Sequence, residues 1–286
     1  MSEAKDKRMG GSVVTENKRL LSGDGTTLEN ARSELLGVLK KYRVVVHLSW
    51  DNIKVRYARS VIGPFWLVLA TAISALGLGY IWSTLFHQDK GTFIPALCVG
   101  LIIWQFISSC ILEASNCYIE NAAIIKNTVN PVLMFPLITI IRNLLIFCHN
   151  LVIIAVVFLI YPPDINYHTL LLIPGIILVI GNLIWMVGIL GFLGARYRDI
   201  APAITSMMTI MFFLSPVMYK PDQLGLKAYL MWLNPFTYLI SLIRDPLTGH
   251  SSPWFSYVIS TTALLVGYVA FALIIEKYRY KLPYWL

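Results

Sequence analysis

The sequence has no phosphate-binding loop of the Gly-x-x-x-x-Gly-Lys-Ser/Thr type, because no glycine in it is followed directly by lysine. We therefore expect no ATP binding through such a loop. The His-Glu-x-x-His pattern of zinc hydrolases is missing as well. The four cysteines lie in or next to apolar segments without the spacing of metal ligands, so we predict neither a disulfide framework nor a metal site nor a bound cofactor.

Groups suited to acid–base catalysis are scarce and isolated. The candidates near apolar segments are Glu113, Arg142, His149 and Asp199, whereas an embedded hydrolase or transferase usually needs paired groups. Arg142 and His149 are seven residues apart and so share one helical face, but the sequence places no acid beside them. A structural or path-lining role is therefore favoured over a proton relay.

Charged residues make up only 13% of the chain, whereas 57% of it is hydrophobic and its mean hydropathy is +0.68. These values are typical of an integral membrane protein. The net charge is +8, but 12 of the 23 Lys and Arg lie in residues 1–60, just before the first long apolar run. Membrane orientation explains this basic segment more simply than nucleic-acid binding does.

The apolar runs predict an all-α fold with six membrane spans. They cover residues 61–86, 94–115, 137–161, 170–193, 202–219 and 254–275. An even number of spans leaves both termini on one side. The two ends and the loops 118–136 and 194–201 hold 18 Lys and Arg, whereas the loops on the other side hold four. The positive-inside rule therefore predicts that both termini are cytoplasmic.

One segment does not fit a plain six-helix bundle. The fifth span is short, and the apolar run 224–243 that follows it is interrupted by Asn234-Pro235. We predict that this run dips into the membrane from outside as two short re-entrant helices, because irregular backbone at membrane depth needs cover from protein or a water-filled cavity. The alternative is a seventh span kinked at the proline.

Three regions precede or connect the spans. Residues 1–27 have almost no bulky apolar side chain, which predicts a disordered tail. Residues 28–60 repeat apolar side chains every three or four positions, from Leu28 to Tyr57, opposite a polar face with Glu34 and Lys54. This pattern predicts a basic amphipathic helix lying along the membrane surface, packing on a soluble domain being the alternative. The permease domain would then occupy residues 61–286.

The two cytoplasmic loops carry distinct signals. Loop 118–136 predicts a short helix that ends before Asn130-Pro131 and exposes the apolar pair Ile124-Ile125, which is suited to docking a partner. Loop 194–201 contains Arg196 and Arg198, whose guanidinium groups suit bidentate pairing with phosphate. An alternative explains these arginines equally well: they orient the chain in the membrane and form an ion pair with Asp199 within the subunit.

Small residues recur on one face of the fourth span. Gly181, Gly188, Gly191 and Ala195 are separated by seven, three and four positions. Small side chains let helix backbones approach closely in lipid. We therefore predict a helix-packing face, within one subunit or between subunits.

Four short motifs together resemble the permease subunits of ABC exporters for bacterial surface polysaccharides. The first is Val55-Arg-Tyr-Ala-Arg-Ser-Val-Ile-Gly-Pro-Phe-Trp66, where the chain enters the membrane. The others are Arg196-Tyr-Arg-Asp-Ile200, Leu214-Ser-Pro-Val-Met-Tyr219, and Asn234-Pro235 followed by Arg244. They appear in the expected order over residues 30–286. O-antigen exporters are the most similar members, with teichoic acid and capsule exporters as siblings.

The resemblance implies a homodimer in the bacterial inner membrane, a separate pair of ATPase subunits, and a lipid-pyrophosphate-linked polysaccharide as cargo. On this reading, cargo uptake involves Arg56, Arg59, Arg196 and Arg198. ATPase coupling involves Glu120, Ile124, Ile125 and Lys126. Aromatic rings stack on sugars along the channel, with core or lipid-facing positions as the alternative for each of Tyr80, Trp104, Phe106 and Trp185.

Two other classes of protein remain open from the sequence. An ion-coupled secondary transporter needs intramembrane acids or paired broken helices, but only Glu113 falls in a predicted span and only the second half has a broken element. A membrane-embedded glycan transferase is the third reading. An ATPase gene beside this one would separate the exporter from both.

Overall fold

A computed structural model describes residues 27–58, 60, 65–85, 87–128, 130–163, 166–217, 219 and 229–286. The described part of the chain is helical and contains no β-strand. Within these residues, five helices are long and apolar enough to cross a membrane. Four of them are α3 (Phe65–Leu85), α4 (Lys90–Ala114), α6 (Met134–Ile160) and α11 (Trp254–Tyr278). The fifth is α7 (Leu172–Arg196), which a 3₁₀ turn, Tyr167–Leu171, extends at its start.

The sixth predicted span is α8 (Ile200–Leu214), an apolar helix of 15 residues. The remaining elements are short or peripheral. They are α1 (Thr27–Lys40), α2 (Tyr42–Tyr57), α5 (Ala122–Asn127), α9 (Tyr229–Trp232), α10 (Pro235–Leu247) and α12 (Leu282–Trp285). The predicted all-α membrane fold is thus confirmed. The predicted tail up to residue 26, Gly63-Pro64, Met218 and residues 224–228 lie outside the described residues.

The amphipathic segment forms two helices, α1 and α2, rather than the one that was predicted. The chain breaks at Lys41, whose backbone N–H is shared between the carbonyls of Gly37 and Val38. The predicted apolar face is exposed on the protein surface, with Leu39 at 66% and Val46 at 50%, so it remains available to lipid.

A different face of the two helices packs on the protein. Val38 and Val45 are buried there, together with Ile53, which was predicted on the apolar face. The Ser49 hydroxyl lies 3.3 Å from the carbonyl of Ile138 on α6. Glu34 lies opposite the exposed apolar strip, as predicted, but its burial was not expected from its charge. It is only 3% exposed and accepts a hydrogen bond from the backbone N–H of Leu133, because α1 presses this face against the chain that leads into α6.

The central helix is α4, which is buried along most of its length and contacts α3, α6, α7, α8 and α10. Its start is fixed by Asp89, whose carboxylate accepts the N–H of Thr92 at 3.0 Å. Such a side-chain cap satisfies one of the backbone donors that every helix leaves free at its first turn.

The small residues of α7 form a packing face within the subunit, as predicted. A side chain added at Gly188 would meet Phe271 of α11, and one added at Gly191 would meet Cys117 and Tyr118. Asn182 secures the same contact, since its amide donates to the carbonyl of Ser260 on α11 at 3.0 Å. Close approach of the two backbones and a buried hydrogen bond from a side-chain amide therefore hold α7 to α11.

The segment before the last span is broken at Asn234-Pro235, as predicted. Asn234 caps α10 by accepting the N–H of Phe236 at 3.0 Å. Its amide donates to the Ser215 hydroxyl at 2.7 Å and to the carbonyl of Met211 at 3.0 Å, which ties the break to the end of α8. With 13 residues, α10 is about 20 Å long, too short by itself to cross a hydrocarbon layer of about 30 Å.

Candidate functional site

Five polar side chains meet at one end of the bundle, and we call them the ion-pair cluster: Arg56, Glu113, Glu120, Arg142 and Asn143. The Glu113 carboxylate accepts hydrogen bonds from Arg56 at 2.8 Å, from Arg142 at 2.8 Å and from the Asn143 amide at 2.6 Å. Arg142 also donates to Glu120 at 3.2 Å. The cluster therefore connects α2, α4, α6 and the turn that leads into α5.

The geometry follows from how α4 and α6 pack. Glu113 lies in the last turn of α4, and Arg142 and Asn143 lie in the first half of α6, so an antiparallel pair of helices brings them to the same depth. The Arg142 side chain is 6% exposed. A buried charge is costly unless it is paired, and here two carboxylates flank the guanidinium group.

Two expectations about these groups were wrong. Glu113 and Arg142 were treated as isolated, and Arg142 was expected to have no acid nearby. They are isolated only along the chain, since 29 positions separate them. The sequence did contain a hint of this pairing, because Glu113 and Arg142 each lie within a few turns of the predicted cytoplasmic end of a span. His149 lies apart from the cluster, with its Nδ1 atom 2.7 Å from the carbonyl of Leu145.

The short helix predicted in loop 118–136 is α5. Its apolar pair Ile124-Ile125 is half-buried and packs against the hydrophobic core, so the expectation that both side chains are exposed was wrong. Two isoleucines on a six-residue helix are more stable against the core than in water. Ala123 and Lys126 form the exposed side of α5.

The four arginines assigned to cargo uptake have different surroundings. Arg56 belongs to the ion-pair cluster, and Arg59 lies outside the described residues. The Arg196 guanidinium lies 5.1 Å from the Trp285 ring centroid, and its Nε atom donates to the Tyr197 hydroxyl at 2.9 Å. Arg198 is exposed.

Arg198 lines a cavity of about 270 Å³ together with Ser115 and Trp285. Among the residues that the structure describes, Asp199 forms no ion pair with Arg196 or Arg198. The internal pair suggested as an alternative explanation of these arginines is therefore not formed.

The four aromatic residues assigned to a channel also differ. Trp104 is buried between Phe212 and Phe236, with ring centroids 5.6 and 5.9 Å away. Phe106 is buried too, beside Phe147 at 5.1 Å. In this conformation both rings are part of the subunit's core.

The other two aromatic rings are more accessible. Trp185 is half-buried over Gly267 and donates from its indole nitrogen to Asn182 at 3.1 Å. Tyr80 is 60% exposed, with the Lys90 ammonium 4.3 Å from its ring centroid. Of the four rings, Tyr80 is thus the most available to a ligand.

One exposed surface inside the predicted spans is polar and was not singled out from the sequence. On α8, the side chains of Thr205, Ser206 and Thr209 are exposed. Each hydroxyl donates to the carbonyl four residues earlier, at 3.0 to 3.1 Å. These hydrogen bonds to the backbone lower the free-energy cost of placing hydroxyl groups in lipid. The hydroxyl oxygens remain available on the surface as hydrogen-bond acceptors.

Known proteins match the chain over most of its length. Residues 43–247 match the family described as ABC-2 type transporter. Two proteins of Klebsiella pneumoniae, both named O-antigen export system permease protein RfbA, are 24% and 25% identical to it over 245 residues, covering 84% of this chain and 93% of theirs. The protein of that name from Myxococcus xanthus is 21% identical over 223 residues, covering 77% of this chain and 86% of its own. The chain belongs to the ABC-2 type transporter family.

Proposed function

We propose that this protein is the membrane-spanning subunit of an ATP-driven exporter that moves a lipid-linked polysaccharide of the O-antigen type outward across the bacterial inner membrane. The observation that carries the proposal is the similarity to proteins named as O-antigen export permeases, which extends over 93% of the length of two of them. Membership of the ABC-2 family and the long apolar helices support the same function.

ATP hydrolysis takes place in a separate pair of ATPase subunits, because this sequence has no Gly-Lys pair from which a phosphate-binding loop could be built. The partner docks on the exposed side of α5. Glu120, just before α5, is paired with Arg142, and Arg142 is paired with Glu113, which holds Arg56. A displacement of α5 therefore acts directly on α6, α4 and α2.

The cargo path lies between two copies of the subunit. Polar groups inside a span usually face the bundle interior or water, and the exposed hydroxyl groups of Thr205, Ser206 and Thr209 supply such a surface on α8. Tyr80 adds an exposed ring on which a sugar can stack. A homodimer with α8 facing a two-fold axis would place these groups around a hydrophilic glycan.

The lipid pyrophosphate is taken up at the cytoplasmic end of this path. Arg196 and Arg198 stand at the junction of α7 and α8, and Arg198 borders a cavity. A guanidinium group can bind a phosphate through two parallel hydrogen bonds. Both termini are cytoplasmic in this arrangement, in keeping with the excess of Lys and Arg in the loops on that side.

Deletion of the gene, with complementation from a plasmid, tests the function. We expect loss of the surface glycan and accumulation of its lipid-linked precursor on the cytoplasmic leaflet. Inactivation of the partner ATPase should give the same result. Export that persists without the ATPase would instead indicate an ion-coupled transporter, and absence of the lipid-linked precursor would indicate a glycan transferase.

A further inference from the structure

A second cavity, of about 380 Å³, lies beside α5. Its walls come from α1, from α5 and the chain up to the start of α6, and from the residues that follow α11, and we call it the α5 socket. The side chains that matter below are Glu34, Lys126, Arg279, Tyr280 and Tyr284. None of them was assigned this role from the sequence, except that Lys126 was placed among the coupling residues.

The α5 socket contains a buried guanidinium group that forms no close ion pair with any residue that the structure describes. Arg279 is 8% exposed, and its Nε atom has no hydrogen-bond acceptor. One of its terminal nitrogens donates to the Tyr280 hydroxyl. Among the described residues, no carboxylate lies within 4.0 Å of the Arg279 nitrogens, the limit for an ion pair, although Glu34 lines the same cavity. A buried charge in this position is costly, and an added anion would relieve that cost.

The rest of the lining indicates which ligand completes the site. Glu34 is already engaged, because its carboxylate accepts the N–H of Leu133 at 3.2 Å. Lys126 adds a second cation at the rim, so Lys126 and Arg279 outnumber the one acid. The socket is therefore complementary to a carboxylate or another small anionic group.

We propose that the α5 socket receives an acidic side chain of the ATPase partner. Tyrosine and arginine are enriched in the cores of protein interfaces, and Tyr280, Tyr284 and Arg279 supply them here. The exposed apolar residues Leu35 and Leu39 of α1 lie on a different face from Glu34, so the lipid-facing strip does not coincide with the socket. This inference rests on the proposed function, which makes α5 the contact with the ATPase.

Photo-crosslinking tests the contact directly. A photoreactive phenylalanine replaces Tyr284, which is 89% exposed and so can be changed without disturbing the fold. The full chain is co-expressed with its ATPase and irradiated in membranes. We expect a covalent adduct with the ATPase. The same group at Tyr167, which is 75% exposed in a predicted external loop, is the matched control and should give no such adduct.

Substitution of the buried charge tests the chemistry. Arg279→Gln should lower the amount of ATPase retained on the purified permease about tenfold, the scale of a lost charge-assisted contact. Arg279→Lys should retain part of it, and Arg43→Gln, at an exposed cation on α2, should retain all of it. Thermal unfolding of each variant in detergent shows whether the fold is intact.

The outcomes separate the two proposals. A wild-type permease that retains no ATPase would overturn the proposed function and the socket with it. Equal retention by wild type and Arg279→Gln, with no adduct at Tyr284, would overturn the socket alone. Adducts of Tyr284 with phospholipid instead of protein would also overturn it, because the anion would then be a lipid headgroup.

Discussion

The Nη2 atom of Arg142 lies 2.8 Å from Oε2 of Glu113, although 29 positions separate the two residues. This pair fixes the register of α4 against α6. Glu113 is also the only member of the ion-pair cluster that contacts three of the others, namely Arg56, Arg142 and Asn143. The stability of this end of the bundle therefore depends on one carboxylate.

Glu113→Gln should destabilise the protein by about 3 kcal/mol, because it leaves the buried Arg142 guanidinium without its nearest counter-charge. Thermal or denaturant unfolding in detergent measures the loss. Glu120→Gln is the matched control. Its side chain is 45% exposed, so the same neutralisation should cost less than about 1 kcal/mol. Equal losses for the two variants would contradict a special role of Glu113.

Gly194→Ala should reduce the level of folded protein, because the added Cβ atom would stand 2.2 Å from the backbone carbonyl oxygen of Ser115. Backbone atoms cannot move aside easily, and we expect a cost of about 3 kcal/mol. Gly77→Ala is the control, since its Cβ atom would meet nothing within 4 Å. The amounts of each variant in membranes and their unfolding temperatures check the difference. Normal levels of Gly194→Ala would mean that α7 can shift away from Ser115.

Glu34→Gln should make the protein more stable at pH 7.5. Burial raises the pKa of the Glu34 carboxyl above its ordinary value of 4.5, despite the hydrogen bond from Leu133 and the nearby charge of Arg279. As the pH falls through this raised pKa, the folded wild type takes up a proton that the unfolded chain still lacks. Wild type should therefore gain stability relative to Glu34→Gln between neutral pH and about pH 5.

Unfolding temperatures of both proteins in detergent, measured across this pH range, check the prediction. The glutamine retains an acceptor for the N–H of Leu133, so the comparison isolates the charge. A difference that stays constant with pH would mean that Glu34 does not titrate with folding.

Arg198→Lys should lower the surface glycan about tenfold while the protein remains in the membrane. Lysine keeps the charge but loses the planar fork that binds phosphate through two hydrogen bonds. Arg198 is preferred over Arg56 for this test, because the Arg56 guanidinium is already engaged by the carboxylate of Glu113.

Quantitative staining of the surface glycan, with Arg43→Lys as the control at an exposed cation, measures this effect. Full export by Arg198→Lys would mean that Arg198 contributes only its positive charge, which helps to orient the chain in the membrane. The contribution of Arg59 can be measured in the same assay.

Single cysteines test the orientation of the chain. Tyr167→Cys should react with a membrane-impermeant maleimide in intact spheroplasts, whereas Ala123→Cys should react only after permeabilisation, because both positions are exposed but lie on opposite predicted sides. Cys148 is replaced by serine, and the other three native cysteines are buried. Burial raises the pKa of the Cys117 thiol, which lowers its reactivity further. Labelling of Ala123→Cys from outside would mean that the chain has the opposite orientation to the one predicted.

Local patterns in the sequence predicted most of the fold. The apolar runs gave the span helices, Asn234-Pro235 gave the break before α10, and the spacing of Gly181, Gly188 and Gly191 gave a packing face. Each of these features depends on residues a few positions apart. The motifs also indicated the polysaccharide exporter family, which the comparisons with known proteins support.

The site was harder to predict, because it depends on how distant elements meet. The partner of Glu113 follows from the register of α4 against α6, which no local pattern specifies. The inward orientation of Ile124 and Ile125 depends on the core beneath α5, and the burial of Glu34 depends on the chain before α6. In each of these cases, packing outweighed the polarity expected from the residue type.

The short helix α8 gives the protein two hydrophobic thicknesses. Its 15 residues span about 22 Å, whereas its neighbour α4, with 25 residues, spans about 37 Å. In the dimer proposed above, α8 borders the cargo path. The polar head of the cargo is therefore expected to pass a shorter apolar stretch beside α8 than it would along α4.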